Sequence, residues 1–185
     1  MEDWLKILII SVCLITFFIC ILVFVLSVTK KNSIKKMYLD VEKVLESLII
    51  EDIKDQFDLQ KLYLKDYDYI FDTPAYRYYI KVVPNSSNQE ICVNNSVKWQ
   101  LRRSFNDETM RFVENIEGLM RMDIEASKPY KKLYIIYPNA RTLLKYINEC
   151  EMVFIHPTTD VYGANIIPYV ALEENPNLIK TNEEI

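Results

Sequence analysis

DYDYIFDTPAYRYYIKVV, residues 66–83, decides how this chain is read. Two runs rich in tyrosine, isoleucine and valine flank Thr73-Pro74. Proline cannot donate to a ladder, so the stretch predicts two antiparallel strands joined by a short turn. The first run, Tyr67 to Phe71, is surrounded by the acids Asp66, Asp68 and Asp72, and the second, Tyr76 to Val83, carries Lys81. Pro84-Asn85-Ser86-Ser87 then breaks the pattern. Residues two apart on a strand share a face, which groups Asp66 with Asp68 and Tyr79 with Lys81.

Toward the N-terminus, Ile7 to Val28 reads ILIISVCLITFFICILVFVLSV, with no charge, proline or glycine. As a helix it would be about 33 Å long, enough to cross a hydrocarbon core of roughly 30 Å. It has no polar face, and no small-residue cleavage site follows Val28, so a membrane-spanning anchor is expected in place of a removable signal. Glu2, Asp3 and Lys6 precede it, whereas Lys30, Lys31, Lys35 and Lys36 follow. The positive-inside rule then puts residues 1–6 outside the cytoplasm and everything beyond the span within it. Residues 29–40 form a basic juxtamembrane segment suited to anionic headgroups. Two glycosylation sequons, at Asn85 and Asn94, leave the opposite topology testable.

The remainder has room for one domain, expected over residues 41–173, with a polar, disordered tail from 174 to 185. Beyond the span lie 21 basic and 24 acidic residues, a balance with no general attraction to nucleic acid. Cys13, Cys20, Cys92 and Cys150 form no C-x-x-C pair, which argues against a zinc site or disulfide framework. The only glycines are Gly118 and Gly163, which excludes a P-loop, a dinucleotide-binding G-x-G-x-x-G and a G-x-S-x-G elbow.

Apolar residues spaced by three and four from Ile34 to Ile49 predict an amphipathic helix over 33–50. Leu59 to Leu64 is readable as a short strand or a helix end, and Glu90 to Val93 as a third β-like run. Residues 96–126 carry two helical stripes and predict helix. Lys131 to Tyr137, almost continuously apolar, predicts a strand in the sheet interior beside the strand of 76–83. Arg141 to Asn148 reads as a short helix, Met152 to His156 as a buried strand, and Asn165 to Val170 as an edge strand because of Pro168.

That order of elements resembles the core of the PD-(D/E)xK, or restriction-endonuclease-like, superfamily over roughly residues 41–157. The membrane-anchored nuclease-related domain is the most similar form. The fold it implies is a mixed-sheet α/β domain with flanking helices behind an N-terminal transmembrane helix. In the family one strand bears an Asp, the next E-x-K, and a Gln opens the following helix, often with a Glu from the first helix. The match implies Asp68 and Lys81 as catalytic residues, with Gln100 and Glu42 (or Glu46) supporting. Carboxylates would hold Mg²⁺, which polarises a phosphodiester and activates water, while the lysine steadies developing charge.

Position 79, where the family has its second acid, is Tyr. A neutral phenol is a poor Mg²⁺ ligand, so the motif is degenerate. Asp66, Asp72 or Glu90 would have to replace the missing acid beside Asp68. The plainer alternative makes Asp66 and Asp68 a solvated strand face and leaves Lys81 in solvent. Lys98, Arg102 and Arg103 form a basic patch that is either a weak phosphate site or an ordinary solvated face. His156 has no catalytic partner in the sequence. The function implied is a membrane-anchored cytoplasmic binding or adaptor domain without a cofactor. A Mg²⁺-dependent nuclease with a relocated acid and a structural envelope protein are the alternatives. The bilayer is one partner; a nucleic acid or a protein is the other, and the oligomeric state stays open.

Overall fold

The computed structural model describes residues 2–51, 58–86, 89–102, 111–114, 116–124, 127–148 and 151–181. The chain divides into two units, 1–39 and 40–185. Helix α1, Glu2–Glu51, starts in the first and ends in the second. No proline or glycine occurs before Pro74, so nothing in the backbone interrupts it, and the basic segment 29–40 is part of the same helix. Its N-terminal part is long and apolar enough to cross a membrane, with a mean hydropathy of 3.3 over its most apolar window. The large apolar side chains there are exposed. Thr16 and Ser27 bond within the helix: Thr16 Oγ1 donates to Val12 O at 2.9 Å and Ser27 Oγ to Val23 O at 2.8 Å.

The second unit is a mixed-sheet α/β body. Its elements are β1 (Asp58–Lys61), β2 (Tyr69–Asp72), β3 (Arg77–Pro84), β4 (Glu90–Val93), β5 (Trp99–Arg102), β6 (Arg111–Phe112), α2 (Glu117–Arg121) and β7 (Tyr130–Tyr137). β8 (Leu143–Asn148), β9 (Glu151–Phe154), β10 (Asn165–Pro168), α3 (Tyr169–Glu174) and α4 (Leu178–Thr181) complete it. One sheet runs β1-β2-β3-β7-β10 and the other β6-β5-β4-β8-β9. The chain therefore weaves between sheets, and each parallel crossover of the first sheet passes through the second.

The strands of residues 66–83 form the expected antiparallel pair, with Tyr69 opposite Ile80 and Asp72 opposite Arg77. β7 lies in the interior of the same sheet, parallel to β3 on one side and to β10 on the other. Leu133, Tyr134, Ile135 and Ile136 are buried on both of its faces, as an uninterrupted apolar run requires. Tyr79, Tyr134 and Ile166 meet Ile91, Val93, Trp99 and Leu143 in the core between the sheets. The opposite face of the first sheet is covered by the end of α1, through Val41, Leu45 and Leu48, and by α3 and α4.

Several expectations are corrected. The first of the two helical stripes expected over residues 96–126 is not helix: Trp99 and Leu101 point into the inter-sheet core at a period of two, and β5 pairs with β4 and β6. The helical spacing of Val97 and Leu101 is coincidental, since Val97 is exposed. Among the described residues of that range only α2 is helical, and the second stripe lies partly outside them. Arg141 to Asn148 is strand β8, fixed between β4 and β9. β9 is an edge strand with Val153 and Phe154 exposed, so it is not buried. The polar end is ordered through Thr181, because Ile179 is buried and its carbonyl accepts the Tyr78 hydroxyl at 3.0 Å. Residues 182–185 lie outside the described residues. Leu59 to Leu64 resolves to strand β1, and Pro168 ends an edge strand as expected.

Candidate functional site

Asp68 and Lys81 meet. β2 begins two residues later than the run from Tyr67 suggests, so Asp66 and Asp68 occupy the approach to the strand. Asp68 N–H donates to Ile80 O at 2.7 Å, which docks the approach against β3. The Asp68 side chain turns inward: Oδ2 accepts the Val82 N–H at 2.7 Å and Oδ1 the Lys81 ammonium at 3.3 Å. Lys81 Nζ also donates to Leu64 O at 3.2 Å. Asp68 is buried and the Lys81 side chain nearly so, which overturns the solvated reading of both.

The other acids go elsewhere. Asp66 packs against α2, where a Cβ on Gly118 would lie 2.0 Å from its Oδ1 and 3.1 Å from its Cα. A side chain at 118 would have to displace the Asp66 carboxylate and press on its backbone, which favours glycine here although alanine is the better helix former. Gly118→Ala should destabilise the domain by about 1–3 kcal/mol, the usual cost of overpacking, measured by urea unfolding; a stabilised variant would contradict the packing. Asp72 is taken by cations: Arg77 donates to both its oxygens at 2.8 Å, and Lys128 Nζ lies 3.3 Å away. The hydrogen-bonded Arg77, with Lys128 behind it, holds the Asp72 carboxyl below the usual carboxylate range despite partial burial. Lys128 was not singled out by the sequence, since it lies 56 positions from its partner.

Glu42 lies on the helix side of the first sheet. It accepts Lys61 Nζ at 3.0 Å, Tyr69 OH at 3.2 Å and a hydrogen bond from Tyr63 OH. Burial alone would raise its pKa, but the bonds from Tyr63 and Lys61 prevail and hold it low. Glu46 shares Lys61 at 2.8 Å. These groups fasten α1 to β1 and β2, and the sequence separation of 15 to 27 residues hid the cluster.

Glu90 and Gln100 lie on the far side of the molecule. Ile91, Val93, Trp99 and Leu101 face the inter-sheet core, so by strand alternation Glu90 and Gln100 point away from the first sheet. Gln100 opens no helix; it sits on β5 and accepts from Arg102 Nη2 at 3.1 Å. Lys98 and Arg102 occupy that same outer face, and Arg103 lies outside the described residues. His156 is exposed, with its Nδ1 3.0 Å from Thr158 Oγ1.

Tyr79 stands where a second ligand is needed. It belongs to the inter-sheet core, edge-on to Tyr67 at 5.2 Å and to Tyr130 at 6.2 Å. Its neighbours on the same face are Arg77 and, across the ladder, Lys132. Burial lowers the Lys132 pKa, and its ammonium donates to Met120 O at 2.9 Å and Met122 O at 2.8 Å. These residues do not fit Mg²⁺: it needs several convergent oxygens, and the one inward carboxylate is committed to a lysine and a backbone amide. Among the described residues no three His, Cys, Asp or Glu side chains are grouped to hold an ion. No family model, no curated protein and no solved structure matches the chain.

Proposed function

We propose that this chain is a single-pass membrane protein whose cytoplasmic domain is a non-catalytic binding module, descended from a nuclease-like, restriction-endonuclease-type fold. The observation that carries the reading is the fate of the motif residues. Asp68 and Lys81 neutralise each other, Tyr79 fills the core, and Glu42, Asp72 and Glu90 are dispersed over other surfaces. An antiparallel β2–β3 pair followed by a parallel β7 agrees with such an ancestry. Catalysis by this family's chemistry needs carboxylates that converge, and dispersal removes that condition while leaving surfaces free to bind.

The cytoplasmic placement rests on four lysines after the span against one before it. The state of the sequons agrees: Asn85 Nδ2, the atom a glycan would occupy, donates to Asn139 O at 2.9 Å. Full-length protein in detergent should leave labelled single- and double-stranded DNA and RNA intact with Mg²⁺ or Mn²⁺. Cleavage that Lys81→Ala abolishes would establish the nuclease alternative. Protease added to intact cells should spare residues 30–185, and a glycan on Asn85 or Asn94 would reverse the topology.

A further inference from the structure

The first sheet has a gap beside the start of β7. β7 pairs with β3 from Tyr130 onward, but its pairing with β10 begins only at Leu133, opposite Asn165. Tyr130 to Lys132 are therefore laddered on one side alone. The N–H and C=O of one strand residue point the same way, and successive residues alternate. Arg77 N–H reaches Pro129 O at 2.9 Å, so residues 129 and 131 face β3, while Tyr130 and Lys132 face the gap. Among the described residues no backbone group of the 157–164 loop bonds to either. That loop stands off, and a cavity of about 320 Å³ lies between it and the strand edge, lined by Tyr130, Lys131, Lys132, Thr158, Asp160 and Asn165. The loop is fixed in place. Val161 and Ala164 close a turn through Tyr162 (φ 56°) and Gly163 (φ 80°), and the Tyr162 hydroxyl donates to Asn94 O at 2.9 Å. Asn165 Nδ2 donates to Pro157 O at 3.4 Å and to Thr159 O at 3.3 Å. A wall held in this way preorganises the gap.

We infer that this gap takes a short extended peptide of a partner protein, carrying two adjacent acidic residues, which pairs main chain to main chain with Tyr130 and Lys132. The inference deepens the binding-module reading and rests on it. Spacing selects the ligand class. The Tyr130 and Lys132 amides lie two residues apart, about 6.6 Å at 3.3 Å per residue. That is too far for the two oxygens of one carboxylate or phosphate, and it is the repeat of an extended chain. Unpaired strand edges recruit strands in this way, the backbone supplying affinity and alternate side chains supplying choice. A cavity of this size suits a few residues of chain, not a domain. Charge selects the side chains. Opposed residues share a face, so adjacent acids fall one beside Lys131 and one beside Lys132, on opposite faces of the sheet. An ammonium has three donors, and Lys132 spends two on the neutral carbonyls of Met120 and Met122. Lys131 Nζ stands 4.6 Å from the Tyr76 ring centre, another neutral neighbour. The acid on the rim, Asp160, accepts the Gly163 N–H through Oδ1 at 3.1 Å and faces two lysines across the cavity.

The test is fluorescence anisotropy of a labelled Thr-Val-Glu-Glu-Val-Thr peptide with the full-length protein in neutral-lipid nanodiscs. Saturable binding is expected, about tenfold weaker for the peptide with Lys-Lys at its centre, because two cross-strand charge pairs are reversed. Asp160→Asn keeps the acceptor for Gly163 and removes a like charge, so it should tighten binding about twofold. Tyr130→Pro deletes a gap-facing N–H without removing a bond to β3, and should weaken binding about fivefold. Amide hydrogen exchange read by NMR keeps the test independent of any variant's folding. In the free protein the Tyr130 and Lys132 amides should exchange faster than those of Lys131 and Leu133, and the acidic peptide should slow that first pair. No saturable binding, equal affinity for the Lys-Lys peptide, or binding that leaves Tyr130 and Lys132 exchange unchanged would each overturn the inference. A labelled oligonucleotide incubated with the same preparation and Mg²⁺ separates the two readings. Cleavage there would remove the non-catalytic reading and leave the peptide site standing, while absent peptide binding without cleavage would do the reverse.

Discussion

Asp68→Ala should lower the stability of the domain by about 3–5 kcal/mol, the cost of removing one partner from a buried ion pair. Asp68 is 1 % exposed, and the Lys81 side chain only 15 %. Truncation leaves the buried Lys81 ammonium without its carboxylate, against the Leu64 carbonyl at 3.2 Å, and it orphans the Val82 N–H inside β3. A domain of this size loses about 2–4 °C of melting temperature per kcal/mol, so a fall of roughly 10 °C is expected. Adding Lys81→Met should recover part of the loss, because no uncompensated charge then remains. Circular dichroism melts of the full chain in detergent measure both. A catalytic carboxylate is commonly kept at a cost to stability, so its removal tends to be neutral or stabilising. An unchanged or raised melting temperature for Asp68→Ala would therefore contradict the structural role and reopen the nuclease alternative.

The parts of the fold legible in the sequence are those where one local signal outweighs tertiary context. Thr73-Pro74 separates two β-rich runs, and the 131–137 run is too apolar for anything but a doubly covered strand. Ile7 to Val28 needs no context at all. Where the signal is short and mixed, context decides. Trp99-Gln-Leu-Arg is a strand because β4 is there to pair with it and because Trp99 and Leu101 both find the inter-sheet core. Leu143 to Asn148 has apolar residues compatible with either period, and pairing with β4 and β9 settles it as strand. Helix α4 was hidden because it is only four residues long and the partner of its buried Ile179, Tyr78, lies 101 positions away.

The candidate site was legible only as residue types. Asp68 and Lys81 come together because β2 and β3 are a hairpin, and hairpin register makes neighbours of residues 13 apart. Glu90 and Gln100 could not be placed in the same way, since their side depends on the chain crossing to a second sheet between β3 and β7.

Replacing Phe17 and Ile21 together by arginine should release the chain from the membrane. Of the 22 residues from Ile7 to Val28, 17 are Leu, Ile, Phe or Val. At about 0.3–0.6 kcal/mol each near the helix centre, they favour insertion by on the order of 5–10 kcal/mol. One central arginine opposes this by about 3–4 kcal/mol once the lost apolar residue is included, and snorkelling toward the interface reduces that further. Phe17→Arg alone should thus remain in the membrane. Two arginines oppose insertion by roughly 6–8 kcal/mol, which is comparable with the whole favourable sum. Alkaline carbonate extraction should move most of the double variant from the pellet to the supernatant, with the single variant staying behind. The second unit has its own core, so the released chain should melt as the parent does in detergent. Retention of the double variant in the carbonate pellet would show that something other than residues 7–28 holds the protein to the bilayer.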